Sequence, residues 1–177
     1  DGEGYDVAPA LTANNLVLSE DRKIGHSKRL PDNFKCAHSL NLDLVENVHL
    51  PLNLTVNGGL RVGTTENSIL RSITVRDAAT IMQNETLEEI ENSLKASSVS
   101  LIRCDKLRKL PTDWAIPFNL TIAHCDQLHE LPNGLSVGNQ LDLSNSSITH
   151  LPADIKIGRY LDLSRTKIDV DMLPEGL

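Results

Sequence analysis

Leu-Pro recurs at positions 30/31, 50/51, 110/111, 131/132, 151/152 and 173/174, and nine residues after each of the first five prolines an apolar pair of L-x-L form begins. Those pairs are Leu40/Leu42, Leu60/Val62, Leu120/Ile122, Leu141/Leu143 and Leu161/Leu163. Ala79/Ile81 and Val99/Leu101 fill the gap at the expected spacing from pair to pair, although residues 63–98 have lost Leu-Pro and carry Leu70-Arg71 and Ile90-Glu91 instead. Leu16/Leu18 reads as a first pair, and the successive spacings are then 24, 20, 19, 20, 21, 21 and 20 residues. Self-similarity at a fixed period of this length marks a stack of supersecondary units. An all-β sandwich, with strands every 8 to 12 residues, would not keep Leu-Pro and L-x-L in register over the whole chain.

The residues between these landmarks repeat as well. LPNGLSVGNQLDLSNSSITHLP from Leu131 is echoed by LPADIKIGRYLDLSRTKIDVDMLP from Leu151. Three residues past each pair stand Asp21, Val45, Thr65, Asn84, Cys104, Cys125, Ser146 and Thr166. All but Val45 are small side chains able to bond the backbone groups that a strand frees when it turns a corner. Apolar residues return at Leu87, Leu107, Leu128, Ile148 and Ile168. One such turn buries too few aliphatic side chains to offset the backbone entropy of about 20 ordered residues, so each must share both faces with neighbours.

The pattern L-x-L-x-x-(N/C/S/T)-x-(x)-L-x-x-L-P over residues 16–177 resembles the leucine-rich-repeat family, in its short bacterial variety. The resemblance implies a mainly-β repeat solenoid of about eight turns. A curved parallel sheet lines its concave side, and the second apolar pairs, such as Leu135/Val137 and Ile155/Ile157, lie on a mostly extended convex wall. Residues 84–96, NETLEEIENSLKA, carry early acids and a late lysine suited to a helix dipole, and a short convex helix is expected there. Residues 1–15 read as an N-terminal tail or cap. The chain opens on Asp1 and breaks off at LPEGL where a ninth turn would begin, so a fragment truncated at its C-terminus is expected.

Side chains alternate along a strand, so inward Leu141 and Leu143 turn Gln140, Asp142 and Ser144 outward. Stacked in order, the position between the pairs reads Asn41, Arg61, Thr80, Ser100, Thr121, Asp142 and Asp162. Two residues past the pair it reads Thr64, Gln83, Arg103, His124, Asn145 and Arg165. Of these, Arg61, Arg103, His124, Asp142, Asn145, Asp162 and Arg165 are the candidate partner-binding residues on the concave face. Asp142 and Asp162 form either an acidic spot for a basic partner or cation, or the hydrated carboxylates of a habitual LDLS turn.

Composition narrows the chemistry. A formal net charge of -7 opposes nucleic-acid binding, which needs clustered Lys and Arg, and no apolar run reaches the length of a membrane helix. Cys36, Cys104 and Cys125 lack the spacing of a disulfide framework, which fits a reducing compartment. Cys36 with His38, and His124 with His129, lack the second half of a zinc signature. Cys104 and Cys125 share one ladder position in adjacent turns, where packing of a small thiol explains them, and a disulfide between them stays open because neighbours in a stack can approach bridging distance. Glu88/Glu89 sit in no evident cleft, and no Walker loop, nucleophile elbow or dinucleotide fingerprint is present. No cofactor and no catalytic residue is expected. Sequons at Asn53, Asn84, Asn119 and Asn145 matter only in a secreted eukaryotic setting.

The expectation is therefore a protein-protein interaction module of a bacterial protein, in the bacterial cytoplasm or secreted into a host cell as a virulence effector. Similar repeats form the recognition part of secreted effectors, including ubiquitin ligases whose catalytic domain lies outside the repeats. The Cys-x-Asp motif of those ligases is not matched by Cys104-Asp105 or Cys125-Asp126, so no catalytic role carries over. A structural or phage-associated repeat protein is the remaining alternative.

Overall fold

The computed structural model describes residues 16–17, 30–91 and 94–176. The expected tail at residues 1–15, Leu18 of the first pair and Asp21 of the ladder lie outside the described residues. Strands are numbered β1 to β16 in chain order. Eight of them, β1 (Leu16–Val17), β3 (Leu40–Leu42), β5 (Leu60–Val62), β8 (Ala78–Met82), β10 (Ser98–Ile102), β12 (Asn119–Ala123), β14 (Gln140–Asp142) and β16 (Tyr160–Asp162), form one sheet in that order. Every pairing is parallel and in register: Leu40 faces Leu60, Ala79 faces Val99, and Leu141 faces Leu161. The chain is a β-solenoid, with six complete coils between β3 and β16.

The register follows from the L-x-L pairs. Both members of each pair from Leu40 to Leu143 are buried, and the residue between them faces outward. A slip of one residue would turn every pair into solvent. Only the last pair, Leu161/Leu163, is half-buried, because no further coil covers it among the described residues. Leu87, Leu107, Leu128 and Ile148 are buried behind the sheet, where the chain doubles back.

Two further sides close each coil. Beside Leu-Pro, β6 (Ile69–Leu70) pairs with β9 (Glu89–Ile90), and single bridges join Glu89 to Lys109 and Glu130 to His150. The second apolar pairs build the other side in two separate sheets. One holds β2 (Lys35–Cys36), β4 (Leu54–Val56) and β7 (Ile73–Val75); the other holds β11 (Ala115–Ile116), β13 (Ser136–Val137) and β15 (Lys156–Ile157). Gly138 and Gly158 stack on this side, where a Cβ on Gly158 would overlap the Gly138 carbonyl oxygen.

The expected helix at 84–96 is not formed by its described residues; 92 and 93 lie outside the description. The segment is extended through β9, and its backbone bonds run between coils: Glu88 and Glu89 N–H donate to Ser68 O, Ile90 N–H to Lys109 O, and Glu91 N–H to Leu70 O. Its acids pair with neighbouring coils too, Glu88 with Arg108 at 2.8 Å, Glu89 with Lys109 at 2.6 Å and Glu91 with Arg71 at 2.9 Å. Cross-coil bonding satisfies the same groups that a helix would, while also burying Leu87 and Ile90. The charge pattern that suggested a helix serves contacts about one coil away instead.

The ladder fills the corner. Asn84, fully buried, donates from Nδ2 to Gly63 O at 3.0 Å and Thr65 Oγ1 at 3.1 Å, while its Oδ1 accepts from the N–H of Thr86 and Leu87. Thr65 Oγ1 donates to Asn67 O, and Thr86 Oγ1 reaches Thr65 O. Cys104 Sγ lies 3.8 Å from Ile81 O and Cys125 Sγ 3.6 Å from Leu101 O. Both thiols are buried and free. A hydrogen bond with the Cys125 thiol, together with burial, pushes the Cys104 thiol far up from its ordinary range. Ser146 is the exception, a buried hydroxyl without a hydrogen-bond partner among the described residues.

Candidate functional site

The outward side of the main sheet presents an uncharged, polar centre between charged ends. Thr80, Ser100 and Thr121 stand side by side in register, with Met82, Ile102 and Ala123 half-buried in the row beyond them. Arg61 lies toward the N-terminal end, where Nε donates to Asp43 Oδ2 at 3.1 Å and Nη2 approaches Met82 Sδ at 3.9 Å. One strand, β8, separates it from the strand that ends at Arg103, and three separate it from Asp142.

At the C-terminal end Asp142 and Asp162 are direct cross-strand partners. Each carboxylate accepts the backbone N–H of the serine two residues on, at 2.9 Å from Ser144 and 2.8 Å from Ser164. Asn41 takes the same position and accepts from Asp43 N–H at 3.0 Å. This shared local turn is the habitual geometry that LDLS encodes, and it gives the acids a structural task beside any binding one. Hydrogen bonds from the Ser164 hydroxyl, then from its N–H, hold the exposed Asp162 carboxyl below its ordinary range.

Arg103, His124, Asn145 and Arg165 come together differently. Strict alternation would turn these positions inward, yet each adopts a left-handed backbone, with φ of 55, 54, 59 and 59°, and Gln83 joins them at 53°. The kink ends the strand and sends the next residue, the ladder side chain, into the core. Arg103, His124 and Arg165 are left exposed along one edge of the sheet, a row about 14 Å long at the spacing of parallel strands. Arg103 and Arg165 form no ion pair among the described residues.

The opposite corner shows what this geometry normally selects. Its left-handed positions are Asn33, Asn53, Ser72, Asp113 and Gly134, mostly residue types that tolerate positive φ. The sheet-side corner holds Asn145 and His124, which also tolerate it, but Gln83, Arg103 and Arg165 as well, for which the conformation costs about 1–2 kcal/mol each. The row is legible in the sequence but its strain is not, since no periodicity distinguishes a left-handed corner. It also missed Tyr160, an aromatic side chain 66% exposed on the edge strand β16, and Asp43 as the partner of Arg61. Alternation around Leu161 and around Leu42 would have marked both as outward.

Among the described residues no three His, Cys, Asp or Glu side chains converge as a metal site, and no helix is long and apolar enough to cross a membrane. Of the sequon asparagines, Asn84 is buried whereas Asn53 and Asn119 are exposed. No family model matches the chain, and neither a curated protein nor a solved structure matches it.

Proposed function

We propose that this chain is a protein-binding module that holds its partner on the outward face of the main sheet. Gln83, Arg103, His124, Asn145 and Arg165 form one rim of that face, and Asp142 and Asp162 its acidic end. The observation that supports this reading is the choice of residues at the sheet-side corner. Arg103, Arg165 and Gln83 occupy left-handed positions that glycine, or the asparagine found at 145, would fill with less strain. Strain retained at an exposed site points to a use for the side chain. The uncharged centre around Thr80, Ser100 and Thr121 supplies an area that a protein surface can cover, and extended faces of this kind are what stacked repeats offer. The resemblance to short bacterial leucine-rich repeats supports the recognition part of a secreted bacterial effector, with this face the concave one, and binding rather than catalysis as its task.

The test is capture by the immobilised chain, compared with Arg103→Glu, Arg165→Glu and Asp162→Lys variants. Lys35→Glu and Lys156→Glu, exposed on the second side, serve as controls. At least one of the first three is expected to weaken capture of a specific protein tenfold or more while the controls retain it. If the sheet-face variants capture as the unaltered chain does, the reading fails.

A further inference from the structure

The second side of the solenoid is interrupted between β7 and β11, and the interruption has the form of a site. The coil at 94–97 pairs well with its N-terminal neighbour: Lys95 N–H donates to Ile73 O at 2.9 Å, Val75 N–H to Lys95 O at 2.7 Å and Ser97 N–H to Asp77 O at 2.9 Å. Toward β11 the ladder fails. Where β13 follows β11, Ser136 N–H donates to Trp114 O and Gly138 N–H to Ile116 O. The corresponding donors one coil earlier are Ala115 and Pro117. Proline has no N–H, so it cannot reach Ala96 O. The Leu94 carbonyl, which Ala115 would use, instead accepts the indole Nε1–H of Trp114 at 3.1 Å. The two coils rejoin where Phe118 N–H donates to Ser97 O at 2.8 Å, ahead of the β10–β12 ladder. Among the described residues no backbone bond links Ala96 to Ala115.

Between these two edges lies an open cleft of about 620 Å³, within the roughly 300–1,000 Å³ of ligand sites. Its floor is apolar, from Val75, Leu94, Trp114 and Pro117. Arg76 and Lys95, both exposed and in no ion pair among the described residues, give it two cations against the single carboxylate of Asp113. The backbone of Ala96, without a bond to the next coil among the described residues, an apolar floor and a net positive rim together suit an extended peptide.

We infer that this cleft binds an extended, acidic peptide segment of a partner protein, which bonds to the free backbone edge at Ala96 and sets a carboxylate between Arg76 and Lys95. The site lies on a different side from the sheet face and uses none of its residues. It stands or falls separately from the reading above.

Trp114 is the sole tryptophan, so the folded chain carries its own reporter. Titration with Ac-Val-Asp-Val-Asp-Val-NH2 is expected to change Trp114 emission saturably and to shift the Ala96 and Ala115 amide resonances. The lysine analogue Ac-Val-Lys-Val-Lys-Val-NH2 is expected to bind at least tenfold more weakly. The Arg76→Glu/Lys95→Glu double variant should weaken the acidic peptide by the same factor. Pro117→Ala restores the missing donor, lets the ladder close and should abolish binding without loss of stability. The inference is overturned if the acidic peptide moves neither the emission nor those amides, if both peptides bind equally, or if Pro117→Ala binds as the unaltered chain does.

Discussion

Asn84 and Ser146 occupy the same ladder position in different coils and differ in a way that stability should register. Asn84 bonds both of its polar atoms inside the core, and Asn84→Ala would leave Gly63 O and the Thr86 and Leu87 N–H groups buried without partners. The expected loss is about 3 kcal/mol in chemical denaturation. Ser146 buries a hydroxyl with no partner among the described residues, so Ser146→Ala should hold or raise stability, by up to about 1 kcal/mol. Strain sets a second contrast: Arg103→Asn relieves a left-handed arginine and should stabilise the chain by up to about 1 kcal/mol while weakening partner capture. A variant both less stable and fully binding would contradict the role given to that corner. Asp162 adds a pH signature. Its folded-state value is depressed, so its contribution is present above the ordinary carboxylate range and is lost as pH falls through the depressed value. In an NMR titration its carboxyl should titrate below 3.8, and Ser164→Ala should raise the midpoint.

At the scale of the strand and the coil, close stacking rather than intrinsic propensity decides conformation. Gly158→Ala would drive a methyl group into the Gly138 carbonyl. It should cost about 2 kcal/mol or more, read as a lowered melting temperature, whereas Ala153→Gly on an exposed turn of the same coil should change it little. The segment 84–96 makes the same point. Its acids and lysine satisfy a helical spacing rule, but Glu88, Glu89 and Glu91 meet Arg108, Lys109 and Arg71 across coils. Such exposed pairs contribute little energy each. The buried Leu87 and Ile90, together with the cross-coil backbone bonds, decide the outcome.

At the scale of the molecule, what repeats was legible and what occurs once was not. The L-x-L pairs located the strands of the main sheet, through 63–98 where Leu-Pro is lost, because burial of alternate residues acts identically on every coil. The ladder was legible for the same reason. The left-handed corner was not, since its residue types argue against the conformation they adopt. Nor was the break before β11, where Trp114 and Pro117 act together through one carbonyl and one missing donor. The candidate residues divide in the same manner: Asp142 and Asp162 meet as the register requires, while Arg61 stands apart with Asp43. A bound partner is expected to cover the outward face of the main sheet. Hydroxyl-radical footprinting of the chain, alone and with its captured partner, would show this. Protection is expected at Met82, His124 and Tyr160 and not at Leu52, which is exposed away from that sheet. Protection of Leu52 with Met82, His124 and Tyr160 labelled as in the free chain would contradict it.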